Sequence, residues 1–204
     1  MKTILFFFLS ILSYPIYGQE LIPFVNLQVD NKKFSGGVVD LDDDSVYILT
    51  CYHSFRGYNN PTTKIYFYDD NSNCIDQSDG KLFKYDQYAD LSLIKVKRQK
   101  YVYWQIPIKK VEISLPCSIF SYGGGDTFYR YDTRITKTQQ TVWTINNNKR
   151  FVDQYVGTGL IYGRSGSVYM NTEIGLVCLG VEIDEKGNSY FVQRNEIVKF
   201  LEND

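Results

Sequence analysis

Short apolar runs separated by turn residues along nearly the whole chain predict an all-β protein, and three observations carry that expectation. Runs such as Val46–Tyr52, Thr63–Tyr68 and Leu176–Ile183 are rich in the β-branched and aromatic residues that suit a pleated surface. Aromatic residues make up 16% of the 204 positions. Helical period appears only at the C-terminus, where Asn195 can cap a turn that carries Ile197, Val198 and Leu201. With 44% hydrophobic content, the chain can bury one sizeable core or two small ones packed together.

Taken in order, Met1 to Gly18 has a lone lysine, an apolar core from Thr3 to Leu12, and then Ser13-Tyr14-Pro15-Ile16-Tyr17-Gly18. This layout predicts a secretory signal peptide (1–18) cut after Gly18, with Gln19 as the first mature residue and a secreted or periplasmic destination. The alternative is an uncleaved anchor, for which the apolar core is short. Strands are then expected over Leu21–Val29 and Phe34–Leu41. Gly36-Gly37 lies inside the second of these, where backbone must pass close to a neighbour. Asp42-Asp43-Asp44-Ser45 is a polar loop without calcium-ligand spacing. The run Val46–Tyr52 leads directly into His53. Strand Thr63–Tyr68, the polar, turn-rich stretch Asp69–Gly80, a short strand Leu82–Tyr85 and strand Leu91–Val96 follow.

Lys97 to Lys110 is basic and aromatic and reads as the connector between two halves. Strands restart at Val111–Leu115 and Cys117–Tyr122, then come Gly123-Gly124-Gly125. No helical pattern follows that triplet, so it reads as a wide turn rather than a phosphate loop. Phe128–Thr138 and Gln140–Ile145 are expected to form a long hairpin, with a turn at Asn146-Asn147-Asn148 and a strand at Phe151–Val156. Leu176–Ile183 and Ser189–Gln193 form a second hairpin before the terminal helix.

The 22 basic and 23 acidic residues are interspersed and leave a formal charge of −1. This excludes an electrostatic footprint for nucleic acid or an anionic membrane. Four cysteines, Cys51, Cys74, Cys117 and Cys178, permit disulfides in an exported chain, and three connectivities are open. Cys51 with Cys74 would brace the loop after His53, and Cys117 with Cys178 would join two strands; buried thiols are the alternative. One histidine and no closely spaced cysteine pair give no zinc pattern.

The chemistry centres on Gly163-Arg164-Ser165-Gly166-Ser167. A serine between glycines on a tight turn lifts its hydroxyl clear of the backbone, and the turn's amides can face an incoming carbonyl oxygen. A hydroxyl near neutral pH needs a neighbouring base, and His53 is the chain's sole histidine. Asp90, which opens the apolar run Leu91–Val96, can orient the imidazole; Asp86 is a rival without an apolar run directly behind it.

The runs Ser35-Gly36-Gly37-Val38-Val39, Ile48-Leu49-Thr50-Cys51-Tyr52-His53, Ala89-Asp90-Leu91-Ser92-Leu93 and Gly163-Arg164-Ser165-Gly166-Ser167 together resemble the chymotrypsin-like serine peptidases. The chain order His, Asp, Ser matches that group and differs from α/β-hydrolases. Gly-x-Ser-Gly-Ser is closest to the bacterial glutamyl endopeptidases. The resemblance implies two packed six-stranded antiparallel β-barrels with a short C-terminal helix, divided as 19–106 and 107–204. It also implies a serine endopeptidase acting on polypeptides, with His53, Asp90 and Ser165 as triad, backbone N–H groups of Gly163 and Ser165 as oxyanion hole, and no metal or organic cofactor. Arg164 is expected to contribute its amide, with its side chain in solvent. Glu182 stands where those endopeptidases carry a histidine that reads an acidic side chain, so a preference for cations replaces glutamyl specificity; the alternative is a solvent-exposed strand residue. A catalytically silent, secreted binding module on the same fold is the second functional reading, suggested by Val168 where the resembled families usually have proline.

Overall fold

The computed structural model describes residues 20–107, 117–122, 128–133, 135–157, 160, 164–171 and 175–203. The expected leader with its Gln19 junction, the strand at 111–115, the glycine triplet 123–125 and Gly163 lie outside the described residues.

Strand β1 (Glu20–Leu21) pairs in parallel with β8 (Val102–Tyr103) and ties the start of the described chain to the end of the first half. Between them, β2 (Phe24–Val29), β3 (Lys32–Leu41), β4 (Ser45–Cys51), β5 (Thr62–Tyr68), β6 (Cys74–Asp86) and β7 (Leu91–Lys97) close into an antiparallel barrel in the order β2-β3-β4-β7-β6-β5. Its interior is filled by Val25, Leu27, Ile48, Ile65, Phe67 and Ile94, all fully buried. The close approach expected at Gly36-Gly37 is present. A Cβ on Gly36 would stand 2.8 Å from Ile48 Cγ2, and one on Gly37 would stand 2.7 Å from Val168 Cγ2, a side chain of the second half.

β6 is much longer than the short run expected at 82–85, because it begins at Cys74 inside the polar stretch. Its own pattern has little apolar alternation, but β5 pairs with its first part, Cys74–Lys81, and β7 with its last, Gly80–Asp86. Ladder bonding to two neighbours outweighs weak local propensity.

The second half contributes β9 (Cys117–Tyr122), β10 (Phe128–Thr133), β11 (Ile135–Ile145), β12 (Asn148–Gly157), β13 (Val168–Asn171), β14 (Gly175–Ile183) and β15 (Ser189–Gln193). These form an antiparallel sheet in the order β10-β9-β13-β14-β15-β12-β11. The outermost strands, β10 and β11, are separated by one residue, so their facing ends lie within about 7 Å of each other. This sheet has seven strands among the described residues because the run expected as one strand over 128–138 is divided between β10 and β11.

The hairpin expected between 128–138 and 140–145 is corrected: 135–145 is a single strand, and it pairs with β12 across a turn at Asn146-Asn147. Both turn residues have positive φ, 50° and 66°, the conformation that asparagine tolerates and a two-residue hairpin needs. The C-terminal helix α1 (Arg194–Glu202) starts one residue before the expected cap. Gln193 occupies the cap position, and Asn195 lies in the first turn, because burial of Glu196, Ile197 and Phe200 sets the helix's phase.

Among the described residues no disulfide is formed, and the thiol alternative applies. Cys51, Cys74 and Cys178 are thiols; Cys51 is buried at the end of β4, whereas Cys74 opens β6 at the surface opposite Tyr68. No helix among the described residues is long and apolar enough to cross a membrane.

Candidate active site

The end of β4 and the start of β7 are neighbours in the barrel, with Cys51 opposite Leu91. That pairing brings the residues just beyond each strand, His53 and Asp90, together across 37 positions of sequence. Asp90 Oδ2 lies 2.6 Å from His53 Nδ1, and Asp90 Oδ1 accepts the His53 backbone N–H at 2.6 Å. The Asp90 carbonyl accepts the N–H of Tyr52 at 3.0 Å. Asp90 has φ 55°, a left-handed conformation, and these three bonds hold it there. Ser92 Oγ donates to the Cys51 carbonyl at 3.1 Å and braces the same junction.

Because a carboxylate can only accept, the hydrogen in the ring bond belongs to Nδ1. In the neutral ring the lone pair is then on Nε2, the nitrogen a general base uses. The imidazole is one-third exposed and the carboxylate 13% exposed. Burial opposes charge on His53, yet the bond to Asp90, reinforced by the neighbouring Cys51 sulfur, holds its pKa well above the ordinary 6.5. Cys51 Sγ lies 3.8 Å from Nε2 and 3.2 Å from Ser54 Oγ. Sequence reasoning overlooked this thiol beyond its place in a possible disulfide. Its position two residues before the histidine is a signal, since the strand's end bends back at a 3-10 turn over His53–Phe55.

The serine turn is built on both halves. The Ser35 N–H donates to the Ser165 carbonyl at 2.9 Å, the Gly166 N–H to the Gly180 carbonyl at 2.8 Å, and the Gly180 N–H to the Ser167 carbonyl at 2.9 Å. Gly166 has φ 80°, and a Cβ there would collide with the Ser35 carbonyl and with Thr50 Oγ1, so only glycine fits. Thr50, three residues before His53, donates to that same Ser35 carbonyl at 2.6 Å. Ser35 and Thr50 thus seat the turn against the strand that delivers His53. Ser165 itself is half-buried. The Arg164 carbonyl accepts from both the backbone N–H and the hydroxyl of Ser167. Arg164 is buried, at 7% exposure, which corrects the expectation that it faces solvent: it belongs to the same tight turn that Gly166 docks against the first barrel.

Glu182 is exposed on β14, opposite Tyr190 and two residues after Gly180. Asp86, the rival acid, has a different task. Its Oδ1 accepts the N–H groups of Tyr88 at 2.9 Å and Ala89 at 3.1 Å, closing the turn that leads into Asp90. Gly163, the other expected oxyanion donor, lies outside the described residues. Asp42 in the acidic loop takes the Tyr47 hydroxyl at 2.8 Å and the Asp44 N–H at 2.9 Å.

Residues 34–179 match the family described as the trypsin-like peptidase domain. No curated protein matches the sequence. Among solved structures, the active form of the Rv3671c protease from M. tuberculosis is similar at TM-score 0.70 and 15% identity, covering 88% of this chain and 79% of that one. The MamO protease domain from Magnetospirillum magneticum is similar at TM-score 0.69 and 13% identity, covering 89% and 96%. The serine endoprotease from Yersinia pestis is similar at TM-score 0.64 and 18% identity, covering 88% and 61%.

Proposed function

This chain belongs to the trypsin-like peptidase family of the chymotrypsin-like serine peptidases, and from that membership we propose that it is a secreted or periplasmic serine endopeptidase whose triad is Ser165, His53 and Asp90. The observation that carries the reading is the double hold of Asp90 on His53, which leaves Nε2 as the basic nitrogen of the neutral ring. In the proposed reaction the Ser165 hydroxyl oxygen attacks a peptide carbonyl carbon while Nε2 takes its proton. The resulting imidazolium gives that proton to the departing amine as the C–N bond breaks, and water, activated the same way, frees the acid from the serine ester. Backbone N–H groups of Gly163 and Ser165 stabilise the oxyanion, each such donor supplying on the order of 3 kcal/mol. The scheme uses no metal or organic cofactor.

Glu182 lies on the strand that adjoins the nucleophile turn through Gly180. We assign it to substrate selection, favouring a cationic side chain before the cut.

Labelling purified protein with a fluorophosphonate probe tests the reading. Labelling that disappears in Ser165→Ala and in His53→Ala is the expected result. A folded wild-type protein that never labels points instead to a catalytically silent binding protein on the same fold.

A further inference from the structure

Arg150 lies on β12, close to the turn of the β11–β12 hairpin, and reaches across to the first barrel. One guanidinium nitrogen, Nη1, bonds Asp86 Oδ2; the other, Nη2, bonds Glu196 Oε2 of α1 at 2.9 Å. Glu196 is buried, and its second oxygen is taken by Lys199 Nζ at 2.9 Å. The two oxygens of Asp86 therefore have separate partners. Oδ2 faces Arg150, while Oδ1 closes the Tyr88–Ala89 turn that ends in Asp90. A second tie joins the same two elements: the Tyr88 hydroxyl donates to the Ile145 carbonyl on β11 at 3.5 Å.

We propose that Arg150 is a positioning residue for the triad acid, setting the orientation of Asp90, and through it His53, by clamping Asp86 from the second half of the molecule. The inference rests on the triad reading above. A planar guanidinium fork suits two carboxylates at fixed angles in a way that a lysine ammonium does not. Asp90 has reason to need such support, because its left-handed backbone persists only when its surroundings over-determine it. Loss of Arg150 removes the partner of Asp86 Oδ2 and frees that carboxylate to rotate. The Tyr88–Ala89 turn then loosens, and the Asp90 oxygens no longer meet both N–H groups of His53 at once.

The chain has one histidine, so a proton NMR titration of the full-length protein reads His53 without ambiguity. The groups facing its ring are Asp90 and Cys51. The titration compares wild type, Arg150→Gln, Arg150→Lys and Glu196→Gln. In Arg150→Gln the His53 midpoint is expected to fall toward 6.5, and the fluorophosphonate labelling rate about tenfold. Arg150→Lys is expected to shift both in the same direction by less. Glu196→Gln cuts the other arm of the same bridge and is expected to lower thermal stability while leaving the His53 titration in place. An unmoved midpoint in folded Arg150→Gln overturns the proposal, as does an equal shift in Glu196→Gln, which would mean general loosening. If Arg150→Gln does not fold, Arg150→Lys decides by the same readout. A wild type that never labels defeats the triad reading alone, since the titration still reports whether Arg150 governs His53.

Discussion

Asp90 grips His53 with both carboxylate oxygens, one on ring Nδ1 and one on the backbone N–H, each at 2.6 Å. The first bond selects the tautomer, and the second fixes where the residue enters its 3-10 turn.

Replacing Asp90 with asparagine therefore reverses the ring's hydrogen-bond logic while sparing the backbone, because asparagine tolerates φ 55°. The expected outcome is a fall in kcat of about 10⁴-fold with little change in Tm. Asp90→Ala, strained at the same φ, is expected to lose a comparable rate and also to unfold earlier. Steady-state kinetics on a peptide ester and thermal melts by circular dichroism separate the two effects.

The raised pKa of His53 gives two pH signatures. Activity needs the neutral ring, so the acidic limb of kcat/KM is expected well to the alkaline side of 6.5. Stability runs the other way. A group whose folded pKa exceeds its unfolded value contributes fully below the unfolded value, and that contribution is lost as pH rises through the folded one. Cys51→Ala removes the sulfur beside Nε2 and is expected to move the limb toward acid; a move toward alkali would show that the thiol donates to the ring instead of accepting from it.

Gly166→Ala places a methyl group against a backbone carbonyl, which cannot rotate away as a side chain would. A strained left-handed residue plus this clash is expected to cost about 1–3 kcal/mol and to abolish labelling by moving Ser165. Urea unfolding monitored by tryptophan fluorescence, alongside the fluorophosphonate assay, checks both.

Glu182→Gln is expected to weaken cleavage after Lys and Arg relative to apolar residues by about tenfold, with the ester-hydrolysis rate on a neutral substrate unchanged. A peptide-library profile measures it, and frequent cutting after Glu in the wild type would remove Glu182 from substrate selection.

The barrel strands were readable wherever apolar residues alternate, as in Thr63–Tyr68, and the two glycines of β3 announced a close contact that the structure contains. The contact between His53 and Asp90 was foreshadowed by their places at the ends of two apolar runs, which pair as β4 and β7. The length of β6 was not, since polar residues such as Asp76 and Gln77 are made into strand by pairing with β5 rather than by their own pattern. The hairpin register at β11 was missed because residues 128–145 alternate without a break that local sequence marks. The roles of Ser35 and Arg150 are set by partners 15 to 130 positions away, as in the bond from Ser35 to Ser165, and no local motif encodes such partners. Arg164 read as a surface cation, because sequence could not show that its turn is drawn against the first barrel.

That bond from the Ser35 amide to the Ser165 carbonyl has a consequence for biogenesis. The Ser165 turn can make this bond only once the late-synthesised half has met the early one, so under the proposed function an incomplete chain is expected to be inert. Fragments 19–106 and 107–204 produced separately should each remain silent, and fluorophosphonate reactivity should emerge only on complementation.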